Sequence, residues 1–109
     1  MTACLITQLA LAHARLERST PADGSTLSVL PAALEMRFSE PARLTALWIQ
    51  RDQEPRQALQ GLPSSADRTL RVALPTLAPG LYSVSWRVVS ADGHIASGTV
   101  RFTISPGAR

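Results

Sequence analysis

The sequence predicts an all-β domain, and two observations support this prediction. Apolar and polar residues alternate with a period of two in several segments, as they do in strands that bury one face. Proline and glycine residues typical of turns separate these segments. The 109 residues suit one small domain, and a hydrophobic content of 45% with 17% charged residues indicates that it folds. About seven short strands at this spacing predict an antiparallel Greek-key barrel or sandwich.

The alternation is clearest in four segments. In the first, Leu34, Met36 and Phe38 face one way, toward the expected core. The others cover residues 70–74, 82–88 and 100–104, and the apolar run 44–49 predicts a further strand. Pro41 separates the first segment from this run, and because proline has no backbone N–H to donate, we expect the strand to stop there. The polar stretch 50–60 is expected to be an exposed connection.

Residues 1–12 are predicted to be a short or truncated signal peptide. Their apolar run ends in Ala10-Leu11-Ala12, a small-residue pattern typical of a signal-peptidase site, and cleavage there would leave a mature domain of residues 13–109. The alternative is an ordinary N-terminal helix or strand of a cytoplasmic protein. No run approaches the roughly 18 apolar residues of a membrane span. The only cysteine, Cys4, lies in this segment, which excludes thiolate metal sites from the mature domain.

The basic residues do not predict a nucleic-acid partner. The net charge is +3, and all eleven basic residues are arginines. They are spread singly along the chain and several alternate with apolar residues, which is typical of solvated strand faces.

Two widely separated signals indicate a metal site. Cleavage after residue 12 would make His13 the first residue, so that its α-amine and imidazole could chelate one ion. Asp92 and His94 are two positions apart, and in an extended segment their side chains project from the same face. Nitrogen and carboxylate donors without sulfur favour Cu(II). The alternative is that Asp92-Gly93 is a hairpin turn and that neither histidine is a ligand.

Three blocks together resemble the CopC family of periplasmic copper-resistance proteins. They are residues 13–24 (HARLERSTPADG), 37–41 (RFSEP) and 79–94 (PGLYSVSWRVVSADGH), and the likeness extends over residues 13–109. The resemblance implies a seven-stranded, cupredoxin-like (Ig-like) β-barrel that binds Cu(II) through His13, Asp92 and His94, with Glu40 beside these ligands. Some family members hold Cu(I) in a methionine-rich loop. Residues 48–60 contain no methionine or histidine, so this chain looks like a Cu(II)-only member.

The function expected from these observations is a periplasmic copper carrier or buffer, monomeric and not an enzyme. The resemblance also implies a CopD-like membrane copper transporter as a partner. Two alternatives stay open. An N-terminal histidine that holds copper is also found in the histidine brace of lytic polysaccharide monooxygenases, which are oxidoreductases. The domain could instead be a β-sandwich interaction module without a metal.

Overall fold

The computed structural model describes residues 14–109, and all regular secondary structure in this range is β-strand, which confirms the all-β prediction. The strands are β1 Leu16–Thr20, β2 Ser25–Leu27, β3 Ala33–Arg51, β4 Gln57–Ala58, β5 Asp67–Ala73, β6 Gly80–Ser90 and β7 Ile95–Ile104. Within the described range, no helix capable of crossing a membrane is found. The predicted leader, residues 1–12, and His13 lie outside the described residues.

The strands form one curled sheet organised around β3. The sheet order is β1-β3-β6-β7-β2, and both β4 and β5 pair with β3 as well. Neighbouring strands are antiparallel, as predicted, except that β2 runs parallel to β7. The first half of β3 lies against β1 and β5, and its second half lies against β6 and β4.

Strand β3 continues through Pro41, so the prediction that a strand stops there is wrong. The pairing with β5 is interrupted between Arg37 and Ala42, and the last residue of β3 in register with β1 is Phe38. Because Pro41 lies in this interruption, its missing N–H deprives no neighbouring strand of a ladder hydrogen bond. The polar stretch 50–60, expected to be a plain connection, also contains β4.

The core follows the predicted alternation. The buried side chains of β3 include Leu34, Met36 and Phe38, and those of β6 and β7 include Trp86 and Phe102. Phe38 meets Trp86 edge to face, with ring centroids 5.2 Å apart and an interplanar angle of 78°. This contact joins β3 to β6 in the core, so the end of β6 has a fixed position relative to β3.

The edges of β3 determine which neighbours come close together. Ala42 pairs with Asp67 of β5 and with Ser90 of β6, so these two strands lie on opposite edges of β3. Glu35 pairs with Arg71 of β5 and with Thr20 of β1, so β5 and β1 also lie on opposite edges of β3. It follows that β1 and β6 run along the same edge of β3, one after the other.

Candidate metal centre

The turn between β6 and β7 carries both candidate ligands of the described chain. The Gly93 backbone N–H donates to the Ser90 carbonyl at 2.9 Å, and the Ser90 N–H donates to the His94 carbonyl at 2.9 Å. Gly93 has a φ of +86°, a conformation that glycine adopts without a Cβ penalty. The Asp92-Gly93 segment is thus a hairpin turn. The expectation that Asp92 and His94 share one face of an extended segment is wrong.

The turn nevertheless brings the two side chains into contact. Asp92 Oδ2 lies 2.8 Å from His94 Nδ1. Two donors bound to one metal ion at about 2 Å, at a right angle to each other, are separated by about 2.8 Å. The observed separation therefore suits a hydrogen bond without metal and equally one edge of a square coordination plane with metal.

The Asp92 carboxylate is held in its charged form by its neighbours. The Ser90 hydroxyl donates a short hydrogen bond to Oδ1, and the backbone N–H of His94 donates to the same oxygen at 3.3 Å. Hydrogen bonds lower the pKa of Asp92 from 3.8 to about 2. The bond from Ser90 contributes most, and the bond from the His94 ring comes second. Asp92 is therefore ionised near neutral pH and accepts, so the proton in the 2.8 Å contact belongs to His94 Nδ1.

Ser90 is a residue that the sequence did not reveal as part of this site. Its side chain is buried, with a relative exposure of 5%, and its hydroxyl contacts Asp92. Ser90 is one of several serines at strand positions, and its only distinguishing signal is its place two residues before Asp92 at the end of β6. It acts by orienting the carboxylate.

The Asp92 and His94 pair is accessible but incomplete as a metal site. The side chains are 38% and 50% exposed, so an ion can reach them from solvent. Among residues 14–109, no group of three or more His, Cys, Asp or Glu side chains is placed to hold a metal. A four-coordinate site built on this pair therefore needs donors beyond those that the described side chains bring together.

The first described residues lie along the edge of β3 that also carries β6. Ala14 is 2% exposed, and the next residue is fixed to β3 twice. The Arg15 N–H donates to Ser39 Oγ at 2.9 Å, and the Ser39 N–H donates to the Arg15 carbonyl at 2.8 Å. Ser39 is three residues from Ala42, the partner of Ser90, on the edge of β3 that β1 and β6 share. The start of the described chain and the β6–β7 turn thus converge on the same stretch of β3.

Glu40 lies in this stretch. It is half-buried and occupies the core-facing alternation between Phe38 and Ala42, both of which are fully buried. Its place in β3 is next to Ser39 and two residues before the partner of Ser90. Its role beside the ligands stays a prediction.

The fold and the turn define a small β-sandwich protein with a nitrogen and oxygen donor pair at one end. Residues 16–105 match the CopC domain, and the chain therefore belongs to the CopC family, as the sequence blocks predicted. It is 34% identical to copper resistance protein C of Pseudomonas syringae pv. tomato over 110 residues, which cover 92% of this chain and 86% of that protein. A copper-related role is thereby supported by family as well as by fold.

Two crystal structures show the same fold. CopC from Methylosinus trichosporium OB3b superposes with a TM-score of 0.75 at 27% identity, covering 89% of this chain and 98% of that one. PcoC from Escherichia coli, described as a methionine-rich copper resistance protein, superposes with a TM-score of 0.63 at 25% identity, covering 86% and 100%. In the present chain, Met36 is fully buried in the core, as its alternation predicted. The cupredoxin-like sandwich is thus confirmed.

Proposed function

We propose that this protein binds one Cu(II) ion through His13, Asp92 and His94 and carries or buffers copper outside the cytoplasm. The observation that carries the proposal is the 2.8 Å approach of Asp92 Oδ2 to His94 Nδ1 on an exposed turn. This turn lies on the edge of β3 along which the described chain begins. The family match supports copper as the ion.

His13 enters the proposal through its neighbour. His13 directly precedes the buried Ala14 in the sequence. If a signal peptidase removes residues 1–12, His13 contributes an α-amine nitrogen and an imidazole nitrogen. Together with the His94 imidazole and the Asp92 carboxylate, these make four nitrogen and oxygen donors in a set that Cu(II) prefers. Glu40 would act from beside this set.

The donor types also favour Cu(II) over Cu(I). Within the described residues there is no cysteine, and Met36 is buried away from the turn. Imidazole, amine and carboxylate donors suit the divalent ion, which stands highest in the Irving–Williams order. We therefore propose a carrier that works without redox chemistry and that delivers its ion to a CopD-like membrane transporter.

Calorimetric titration with Cu(II) tests this site. Protein that begins at His13 is expected to bind one ion per chain, and protein that retains residues 1–12 is expected to bind at least about 100-fold more weakly, a loss of about 2.7 kcal/mol. His94→Ala should cause a loss of the same order, while Asp67→Ala, which removes an exposed carboxylate outside the turn, serves as the control. Unchanged affinity in His94→Ala would remove His94 from the site.

The same protein distinguishes the alternative functions. Copper-loaded protein incubated with a reductant and polysaccharide is expected to release no oxidised oligosaccharides. Their release would replace the carrier with a histidine-brace oxidoreductase. Failure of both the trimmed and the untrimmed protein to bind Cu(II) would favour a metal-free interaction module.

A further inference from the structure

The outer face of β3, β6 and β7 gathers arginines beside the proposed copper turn. In the row nearest the turn, Arg43 is in register with Val89, which is in register with Ile95. The next row contains Arg87, which is in register with Ala46 on one side. These outward positions are far apart in the sequence and become neighbours only through strand pairing.

A tryptophan lies at the centre of this group. The Arg56 guanidinium is 4.4 Å from the centroid of a Trp48 ring, and that of Arg87 is 5.7 Å from the same centroid. Two guanidinium groups thus share one indole, whose π-face offsets only part of their charge. We define the arginine face as the surface formed by Arg43, Arg56, Arg87, Trp48 and Ile95.

No carboxylate neutralises the arginine face. Residues 43–51, β6 and β7 contain neither aspartate nor glutamate. The nearby acidic side chains do not pair with it: Glu54 pairs with Arg51 at 3.2 Å, and Asp92 accepts from Ser90 and His94. Glu40 lies in the core-facing alternation of β3, and Asp67 of β5 accepts from the Thr69 N–H at 3.0 Å. Within residues 14–109, none of the three arginines of the face forms an ion pair.

The arginine face also exposes apolar surface at its end next to the metal. Ile95 follows His94 directly and is 67% exposed. Its cross-strand neighbour Val89 is half-buried. An exposed aliphatic residue with arginines and a tryptophan around it is a composition typical of protein interfaces and their energetic hot spots.

We propose that the arginine face is a docking site for a partner protein whose complementary surface carries carboxylates around an apolar patch. Guanidinium groups are suited to bind carboxylates through paired hydrogen bonds, and Ile95 supplies the apolar contact. A partner seated there lies beside His94 and can take up or deliver the ion. This last step rests on the proposed copper function, whereas the docking itself does not.

The face fits a protein better than the other polyanions. Nucleic-acid binding would require aromatic faces on which bases can stack, but Trp48 is half-buried and has guanidinium groups beside its ring. An anionic bilayer surface would be contacted by three arginines, each contributing about 1 kcal/mol, with Ile95 alone to insert. A carboxylate-bearing protein surface uses the charges and the apolar residue together.

The test is a titration of the metal-free, ¹⁵N-labelled full chain, followed by nuclear magnetic resonance. The probe is a short peptide of alternating acidic residues and leucine, and its matched control has amides in place of the acids. The acidic peptide is expected to shift the Trp48 indole signal and the amides of Val89, Ile95 and Ser97, more weakly as salt is added. Because no copper is present, failure of this docking is distinct from failure of the copper site.

Two pairs of charge reversals decide the outcome. Arg43→Glu with Arg87→Glu is expected to weaken peptide binding at least tenfold, and Arg43→Gln with Arg56→Gln provides a milder variant should the first fold poorly. Arg18→Glu with Arg68→Glu makes the same charge change at exposed arginines outside the face and should leave binding within about twofold of the unmodified chain. Equal loss in both reversed pairs, or shifts scattered over the molecule, would overturn the proposal. Binding to phosphatidylglycerol vesicles but not to the peptide would assign the face to a membrane surface.

Discussion

The two halves of β3 resemble each other inside the protein and differ outside it. Beside the first half, the strands themselves contain acidic residues: Arg37 lies 3.6 Å from Glu17, and Arg71 of β5 lies 2.7 Å from Glu35. Among the described residues, Arg18 of β1 and Arg68 of β5 form no ion pair. The second half, residues 42–51, contains no acidic residue, and neither do β6 and β7, which lead to the Asp92–His94 turn, although Arg51 at its end pairs with Asp52 and Glu54 of the following turn. The first half thus has carboxylates within its strands, and the second half has arginines in strands without them.

The inward residues do not account for this difference. Leu34 and Phe38 of the first half are buried in the same core as Leu44 and Leu47 of the second half. Both halves therefore satisfy the same requirement for a packed interior. The difference lies at outward positions, where stability imposes few constraints, and the proposed metal turn and the arginine face both lie beside the second half.

The largest effect is expected from a change of pH, which should weaken copper binding at the turn beside the second half of β3 and leave the fold unchanged. Between pH 7 and pH 5, copper affinity should fall by at least about 100-fold, because protons compete for three nitrogen donors at up to about tenfold per pH unit for each displaced proton. Asp92, whose pKa is lowered to about 2, stays ionised throughout. Calorimetry at several pH values measures the loss.

The control for this experiment is circular dichroism of the metal-free protein. A group with a depressed pKa contributes stability above its unfolded pKa, and this contribution disappears as the pH falls through the folded pKa. The stabilisation due to Asp92 is therefore lost as the pH falls from about 3.8 to about 2, which is below the interval from pH 7 to pH 5 used for the copper titrations. An affinity that does not change with pH would contradict nitrogen ligation.

The next effect concerns the packing of β7 against Trp86 of β6, the strand beside the second half of β3. A Cβ at Gly98 would lie 2.5 Å from Cζ2 of Trp86, too close for the rigid indole to accept. Gly98→Ala should therefore destabilise the protein by about 1–3 kcal/mol in urea unfolding. Ser97→Ala, at the neighbouring exposed position, should change stability by less than about 0.5 kcal/mol. Equal stability of the two variants would show that the Trp86 contact is easily relaxed.

A smaller effect is expected from the residue that orients Asp92. Ser90→Ala removes the hydroxyl that donates to the carboxylate and should weaken copper binding about tenfold. Ser85→Ala, which changes a half-buried serine of the same strand, is the matched control. If both variants bind copper as the unmodified protein does, the carboxylate is positioned without help from Ser90.

The smallest effect comes from comparing Arg71 of β5, beside the first half of β3, with Arg43 of the second half. Arg71→Gln breaks an ion pair whose partners are 63% and 46% exposed and should cost no more than about 0.5 kcal/mol. Arg43→Gln breaks no ion pair of the described residues and should be neutral or slightly stabilising, because it reduces repulsion. Urea unfolding at low salt measures both. A larger loss in Arg43→Gln would show that the charge of the second half supports the fold.

The sequence predicted much of the fold because burial follows a period of two. The alternation of Leu34, Met36 and Phe38 is a direct consequence of one strand face packing into the core. Pro41 misled the prediction, since a proline normally ends a strand and nothing local shows that pairing is interrupted around it. The short strands β2 and β4 carry too few residues for an alternating pattern.

The candidate site was predictable only in part. Asp92 and His94 stood out by residue type and spacing; in the structure they touch through a turn, and their role as ligands stays a prediction. Ser90 and the arginine face did not stand out, because their neighbours are set by strand register, which a single sequence does not display. His13 stays a prediction, as it lies outside the described residues.

Pro41 has a further consequence. In an extended strand, alternate residues direct their amides to the same edge, so position 41 points where Ser39 meets Arg15. Because proline has no N–H, position 41 cannot donate a backbone hydrogen bond at this edge. Pro41 thus leaves β3 without a backbone donor between the Arg15–Ser39 contact and the Ala42–Ser90 pair, on the edge that leads to the proposed metal turn.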